Sequence, residues 1–259
     1  MMLKKEFKLF TLALMFFTRI PCPSYDDFKE SDLNEASRYF SLVGIIVGLF
    51  SFLAFMASIK YFSLPTSVIF SLAFSVFITG AFHEDGFADT IDGFGGGWTK
   101  EKILEIMKDS RIGAFGVIAL ILLFAAKVSL FIEILPHLEV ISGLGFFLAL
   151  HALSRAAAAS LIVQSSYVQE DKVSKAKPLA TGMSAKSFIF MLIIGLLPLI
   201  LLKNPFFFLI AVPVFLSSFI ACKYFEKWIG GYTGDCLGAT QQICEVVFMA
   251  SFAILLKPL

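Results

Sequence analysis

Seven stretches of this chain are long and apolar enough to read as membrane-crossing helices: residues 39–59, 64–82, 112–135, 139–163, 187–202, 205–222 and 237–256. A helix rises about 1.5 Å per residue, so some 20 apolar residues cover the roughly 30 Å hydrocarbon layer. The fifth run is short, and only two residues separate it from the sixth. No internal repeat or low-complexity linker divides the runs. The sequence therefore predicts one membrane-embedded domain over residues 1–259, an all-α polytopic protein of about seven spans. Composition agrees: 58% of residues are hydrophobic and 16% charged, against about 45–50% and 25% in soluble domains. A water-soluble globule is excluded.

Residues 7–17 are apolar but too short to cross, and they follow Lys4, Lys5 and Lys8. Thr18, Arg19, Ile20 and Pro21 offer no small-residue cleavage site, so a retained interfacial helix is expected rather than a signal peptide. Lys and Arg divide sixteen to three between alternate sides of the seven spans, with Lys127 and Arg155 inside spans. That asymmetry predicts a cytoplasmic N-terminus and an odd number of crossings. The sixteen include Lys172, Lys175 and Lys177, in a loop that either carries inside charge or touches a phosphate. The net charge of +1 gives no overall basic field, so nucleic acid is not an expected partner. Cys22, Cys222, Cys236 and Cys244 form no CxxC pair and read as free thiols in a reducing compartment.

The longer loops on the Lys-rich side carry the polar motifs. The second span runs into His83, Glu84, Asp85, Gly86, Phe87, Ala88, Asp89, Thr90, Ile91, Asp92 and Gly93. If the helix continues, Asp85, Asp89 and Asp92 share one face, and Glu84 points about 100° away. Three ionised carboxylates roughly 6 Å apart repel by about 3 kcal/mol per pair at an effective dielectric of 20. A divalent cation relieves this most simply, and oxygen-only ligands with room for water suit Mg²⁺ or Mn²⁺ shared with phosphates. The competing reading is a solvated acidic helix end paired with Lys100, Lys102 and Lys108.

Gly95, Gly96 and Gly97 follow, either an anion-approaching backbone or a flexible turn. Residues 98–109 are amphipathic, as in a short helix on the interface. Ser110 can cap the third span, and Arg111 at its mouth either holds a phosphate or anchors positive charge inside. A second Gly-rich loop, Gly230, Gly231, Tyr232, Thr233, Gly234 and Asp235, leads into the last span, whose N-terminus is a natural anion site. Asp235 either caps that helix or helps hold metal or phosphate. His151 and Arg155 stand four residues apart in the fourth span, and an intramembrane Arg usually faces a cavity or partner. Lys127 reads as structural, snorkelling or pairing with Glu133.

Three strings, HEDGFADTIDG (83–93), LEIMKDSRIG (104–113) and GGYTGDCLGA (230–239), together with residues 17–23, resemble cobalamin synthase, the adenosylcobinamide-GDP ribazoletransferase family. Glu84 departs from the pattern. The resemblance implies the last step of cobalamin nucleotide-loop assembly, in the cytoplasmic membrane of a bacterium or archaeon with its site facing the cytoplasm. The hydroxyl of α-ribazole, or of its 5′-phosphate, would displace GMP from adenosylcobinamide-GDP with Mg²⁺ required. On this reading Asp85, Asp89 and Asp92 hold the metal, and a carboxylate or His83 accepts the hydroxyl proton. Arg111 steadies a phosphate, while Gly93, Gly96, Lys108, Arg155, Gly231, Thr233 and Asp235 line the substrates. Partners are then the corrinoid nucleotide, α-ribazole and the bilayer, with a homo-oligomer compatible. A CDP-alcohol phosphotransferase would place Ala-Arg soon after the first Asp-Gly and two further Asp downstream, which are not found. A transporter would place His151, Arg155 and Lys127 along a pathway, but no inverted repeat accompanies them.

Overall fold

A computed structural model describes residues 2–23, 25, 29–168 and 181–256, so Lys172, Lys175 and Lys177 lie outside the described residues. The described chain forms eleven α-helices with short 3₁₀ turns and one isolated bridge, Tyr167 to Tyr232. Six helices are long and apolar enough to cross a membrane, and a bent pair makes up to seven.

The centre is α8 (Val140–Gln164), buried almost without interruption from Gly145 to Ile162. Its Ala156 to Ala159 run presents little side-chain bulk, so neighbours approach closely. On α3 (Phe40–Ser58), Gly44 and Gly48 face it. A Cβ added at Gly48 would stand 2.5 Å from the Phe147 carbonyl oxygen, so the four-residue glycine spacing is what lets the two backbones touch. Around this pair stand α4 (Leu64–Thr79), α7 (Ala114–Ile134), α9 (Ala185–Leu196), α10 (Ala211–Ile229) and α11 (Gly234–Leu256). Their outward residues are apolar, among them Ile121 and Leu122 of α7 and Phe219 and Ile220 of α10. The surface is greasy and the polar groups turn inward, the distribution a bilayer demands.

Element ends differ from expectation where proline or glycine intervenes. The fifth span leaves α-geometry for a 3₁₀ stretch, Leu197–Leu202, at Pro198. The sixth opens as 3₁₀ (Pro205–Ile210), and α10 continues to Ile229 rather than stopping at residue 222. The expected N-terminal helix is α1 (Met2–Phe17). Its Leu9, Leu12 and Ala13 are fully buried against protein, beside α2 (Glu30–Ala36) and the start of α3. Salt bridges Lys5–Glu35 and Arg38–Glu6 fasten it there.

The largest correction concerns the second span. The helix does not continue past residue 79: Gly80 (φ +67°) and Ala81 (φ +60°) are both left-handed, and the chain bends by 89° into α5 (Phe82–Gly96). The Ala81 N–H donates to Val76 O and the Gly80 N–H to Phe77 O. These two bonds are the Schellman pattern that satisfies the last carbonyls of a helix. Arg19 buttresses the break, its N–H donating to Ile78 O at 2.7 Å and its guanidinium filling the space beside Gly80. After α5 comes α6 (Lys100–Met107), capped by Thr99, whose hydroxyl accepts from the Lys102 N–H. Helix α5 therefore lies across the end of the bundle, wedged between α7 and α11.

Candidate active site

Helix α5 separates its residues by face. Asp85 is exposed and Asp89 half-buried, whereas His83, Glu84, Gly86, Phe87 and Ala88 are buried against the bundle. Gly86 is the contact with α11: an added Cβ would lie 2.9 Å from the Asp235 Cα. This close approach sets Asp235 beside the acidic stretch. Burial, then the neighbouring charges of Asp85 and Asp92, push the Asp89 carboxyl up to about 6. The expected shared face thus exists, and its electrostatic cost falls on Asp89.

Asp92 is occupied differently. Its carboxylate is buried and accepts the N–H of Gly113 at 2.7 Å and of Gly116 at 2.8 Å, at the N-terminus of α7. A Cβ at either glycine would collide with that carboxylate, so Gly113 and Gly116 form a cradle that sequence reading missed. The arrangement satisfies two of the helix's orphan donors and places negative charge at its positive end. Among the described residues, no three His, Cys, Asp or Glu side chains converge as a metal cage. What remains is an oxygen pair, Asp85 and Asp89.

The surrounding candidates divide between mouth and packing. Arg111 is exposed at 87% of its side chain and grips Asp109 through Nε and Nη2, which pulls the Asp109 carboxyl down to about 2. Lys108 is exposed just after α6. The glycine run is not a loop: Gly93 and Gly96 belong to the last turns of α5, where an added Cβ at Gly93 would meet Ile103 O at 3.1 Å and at Gly96 the Ile106 side chain at 3.2 Å. Gly231 packs against the 166–168 segment, where the Tyr232 N–H donates to Ser166 O and the Val168 N–H to Tyr232 O. Thr233, not Asp235, caps α11, its hydroxyl accepting the Cys236 N–H. The N-terminal turns of α7 and α11 nonetheless both meet α5.

Beneath α5 lies a buried polar network. His83 is on its inner face, stacked over Phe17 at 6.0 Å, and shares a small cavity with Glu84, His151, Arg155, Gln241, Gln242 and Glu245. Lys127 pairs with Glu245 at 2.6 Å and donates to Gln242 Oε1, which corrects the expected snorkelling or Glu133 pairing. His151 Nδ1 lies 2.9 Å from Glu245, and the Gln242 amide donates to Glu84 Oε1 at 3.0 Å. Arg155, only 4% exposed, donates to the His151 carbonyl. The structure therefore brings together Asp85, Asp89, Asp92 and Asp235 around α5, and seats His83 and Arg155 on its other side. A window average over residues 237–256 hides Gln241, Gln242 and Glu245. Their presence within one apolar run was the available signal.

The family described as cobalamin-5-phosphate synthase matches residues 9–253. The chain belongs to that family. Within the cobalamin-5-phosphate synthases, it is 45% identical over 244 residues to an adenosylcobinamide-GDP ribazoletransferase from Shewanella oneidensis, covering 94% of this chain and 92% of the relative. The enzyme of the same name from Shewanella putrefaciens is 44% identical and that from Shewanella baltica 43%, each over the same shares. No solved structure matches.

Proposed function

We propose that this chain joins adenosylcobinamide-GDP to α-ribazole, or to its 5′-phosphate, with release of GMP. The observation that carries the reading is the placement of Asp85 and Asp89 on the outer face of α5, between the N-terminal turns of α7 and α11. Membership of the family supplies the substrates. In the reaction the acceptor hydroxyl oxygen bonds to the phosphorus on the cobinamide side, and the bond from that phosphorus to the bridging oxygen breaks. GMP leaves with the electron pair, and the hydroxyl proton is given up.

Mg²⁺ fits the donor set in an open form. Burial, then the charges of Asp85 and Asp92, raise the Asp89 carboxyl, and Mg²⁺ is commonly held by one or two carboxylates with substrate phosphates and water completing the shell. Asp85 and Asp89 would hold it, with Asp92 tied to α7. Bound there, it supplies charge neutralisation for the diphosphate and departing GMP. The chain's own residues do the positioning. Asp92 fixes the N-terminus of α7 against α5, so that the α7 amide ends stay beside the acidic pair. Arg111, once released from Asp109, reaches a phosphate as a bidentate donor. The hydroxyl proton leaves on the open side, toward the carboxylates, because His83 faces Phe17 and the inner cavity. The Lys and Arg asymmetry supports a cytoplasmic orientation of this end of the bundle.

The test supplies detergent-purified protein with both substrates, with and without Mg²⁺. GMP and the corrinoid product are expected in equal amounts, with Mg²⁺, and lost at least 100-fold in Asp85→Asn and Asp89→Asn while membrane insertion persists. Near-native GMP release by either variant, or release without Mg²⁺, refutes the assignment.

A further inference from the structure

Among the described residues, the network under α5 is hydrogen-bonded to that helix at Glu84, next to the acidic face. A helical residue advances about 100° around its axis, so fixing the azimuth of Glu84 fixes that of Asp85 beside it. Glu84 is 8% exposed, and its Oε1 accepts from Gln242 Nε2. The Gln242 amide has no freedom to reverse. Its Oε1 must face the Lys127 ammonium, a pure donor, so its Nε2 must face Glu84 and Gln241 Oε1. Lys127 is held in turn by Glu245, which also takes His151 and Gln241. The polarity therefore runs one way, from Lys127 through Gln242 to Glu84.

Two further buried atoms belong to residues lining one cavity. Glu84 Oε2 and Arg155 Nε are both buried without a partner, and both residues line it together with Gln242. Two cations, Lys127 and Arg155, face two carboxylates, Glu84 and Glu245, so the charges balance. A buried ionic set of this kind is poor evidence for stability, since apolar replacements of similar volume often serve as well. Such a set can instead specify one arrangement of its helices, and here that arrangement ends on α5.

We propose that Gln242 and Glu84 are positioning residues that lock the rotation of α5 and so hold Asp85 and Asp89 toward the substrates. The inference rests on the reading of Asp85 and Asp89 as the working carboxylates. Neither Gln242 nor Glu84 touches substrate, and both act through the helix. Hydrogen-bond partners that orient a metal-binding carboxylate typically change metal affinity or activity 10–100-fold on removal.

The test measures kcat, KM for the corrinoid nucleotide, the Mg²⁺ concentration for half-maximal activity and the unfolding midpoint, all on detergent-purified full-length protein. Gln242→Glu sets a second carboxylate against Glu84. It is expected to lower kcat and to raise the Mg²⁺ requirement about tenfold or more. The exchange Glu84→Gln with Gln242→Glu restores the bond with donor and acceptor reversed and leaves Lys127 an acceptor, while Gln241 Oε1 loses its donor. It is expected to recover at least about threefold in both quantities relative to Gln242→Glu alone. Should Gln242→Glu not accumulate, Gln242→Met keeps the volume without the donor and carries the same expectation as the single variant. Native Mg²⁺ dependence in Gln242→Glu or Gln242→Met overturns the proposal. So does an exchange variant no better than the single one, or an activity loss that follows the unfolding midpoint alone. Asp85→Asn separates the two claims: if it turns over normally the site reading fails, whereas if it is inactive and Gln242→Glu is native only the positioning claim fails.

Discussion

Asp89 and Asp92 sit three residues apart on one helix, yet their surroundings give them opposite consequences for stability. Asp92 accepts two backbone N–H groups at the start of α7. Asp92→Ala leaves those donors unpaired and is expected to destabilise the protein by about 1–3 kcal/mol, read as a lower unfolding midpoint in detergent. Asp89→Asn removes repulsion and should leave the midpoint equal or higher. The pH dependence follows from the same shift. The Asp89 carboxyl is raised from 3.8 to about 6, so the folded protein holds its proton more tightly than the unfolded chain does. The associated stability is present below about pH 4 and is lost as pH rises through about 6. On the proposed reading Mg²⁺ would bind the ionised form, so without substrate it should raise the midpoint more at pH 8 than at pH 5, and not at all in Asp89→Asn. Equal stabilisation at both pH values would contradict this. Arg111 and Asp109 form an exposed pair, and breaking it should alter KM without moving the midpoint.

At the level of elements, α5 works because the chain turns sharply before it and packs tightly along it. Gly86 has no room for a side chain against Asp235. Gly86→Val should push α5 from α11 and lower turnover at least tenfold, with overpacking costing about 1–3 kcal/mol. Spans such as 139–163 and 112–135 were legible because a bilayer imposes one length and one polarity on everything that crosses it. The turn at Gly80–Ala81 was not. A lone glycine inside an apolar run is an ambiguous signal, and alanine gives no hint of a left-handed backbone. Asp85 and Asp89 were legible from their spacing, which the helix preserves after the bend. The task of Asp92 was hidden, because its partners are backbone groups of Gly113 and Gly116, more than twenty residues on. His83 was placed with the aspartates by proximity in sequence, but the helix carries it to the opposite face. Gln242 and Glu245 were masked by the apolar average of their own span.

Across the whole molecule, an apolar surface and a largely apolar core surround one buried polar network, and the proposed working face lies beside it. The Lys and Arg asymmetry of the sequence predicts that the α5 end of the bundle faces the cytoplasm. Single cysteines at Ser110 and at Lys60, in a chain otherwise freed of cysteine, should react from opposite sides of sealed membrane vesicles, with Ser110→Cys labelled only from the cytoplasmic side. Labelling of both from one side would break the predicted topology. The central claim is that Asp85 and Asp89 at this end hold a divalent ion together with the diphosphate of the corrinoid nucleotide. Its most direct test is an anomalous difference map of protein crystallised with Mn²⁺ and unreacted adenosylcobinamide-GDP. The account predicts a peak contacting both carboxylates and the diphosphate oxygens; diphosphate bound with no peak, or a peak away from these two residues, would contradict it.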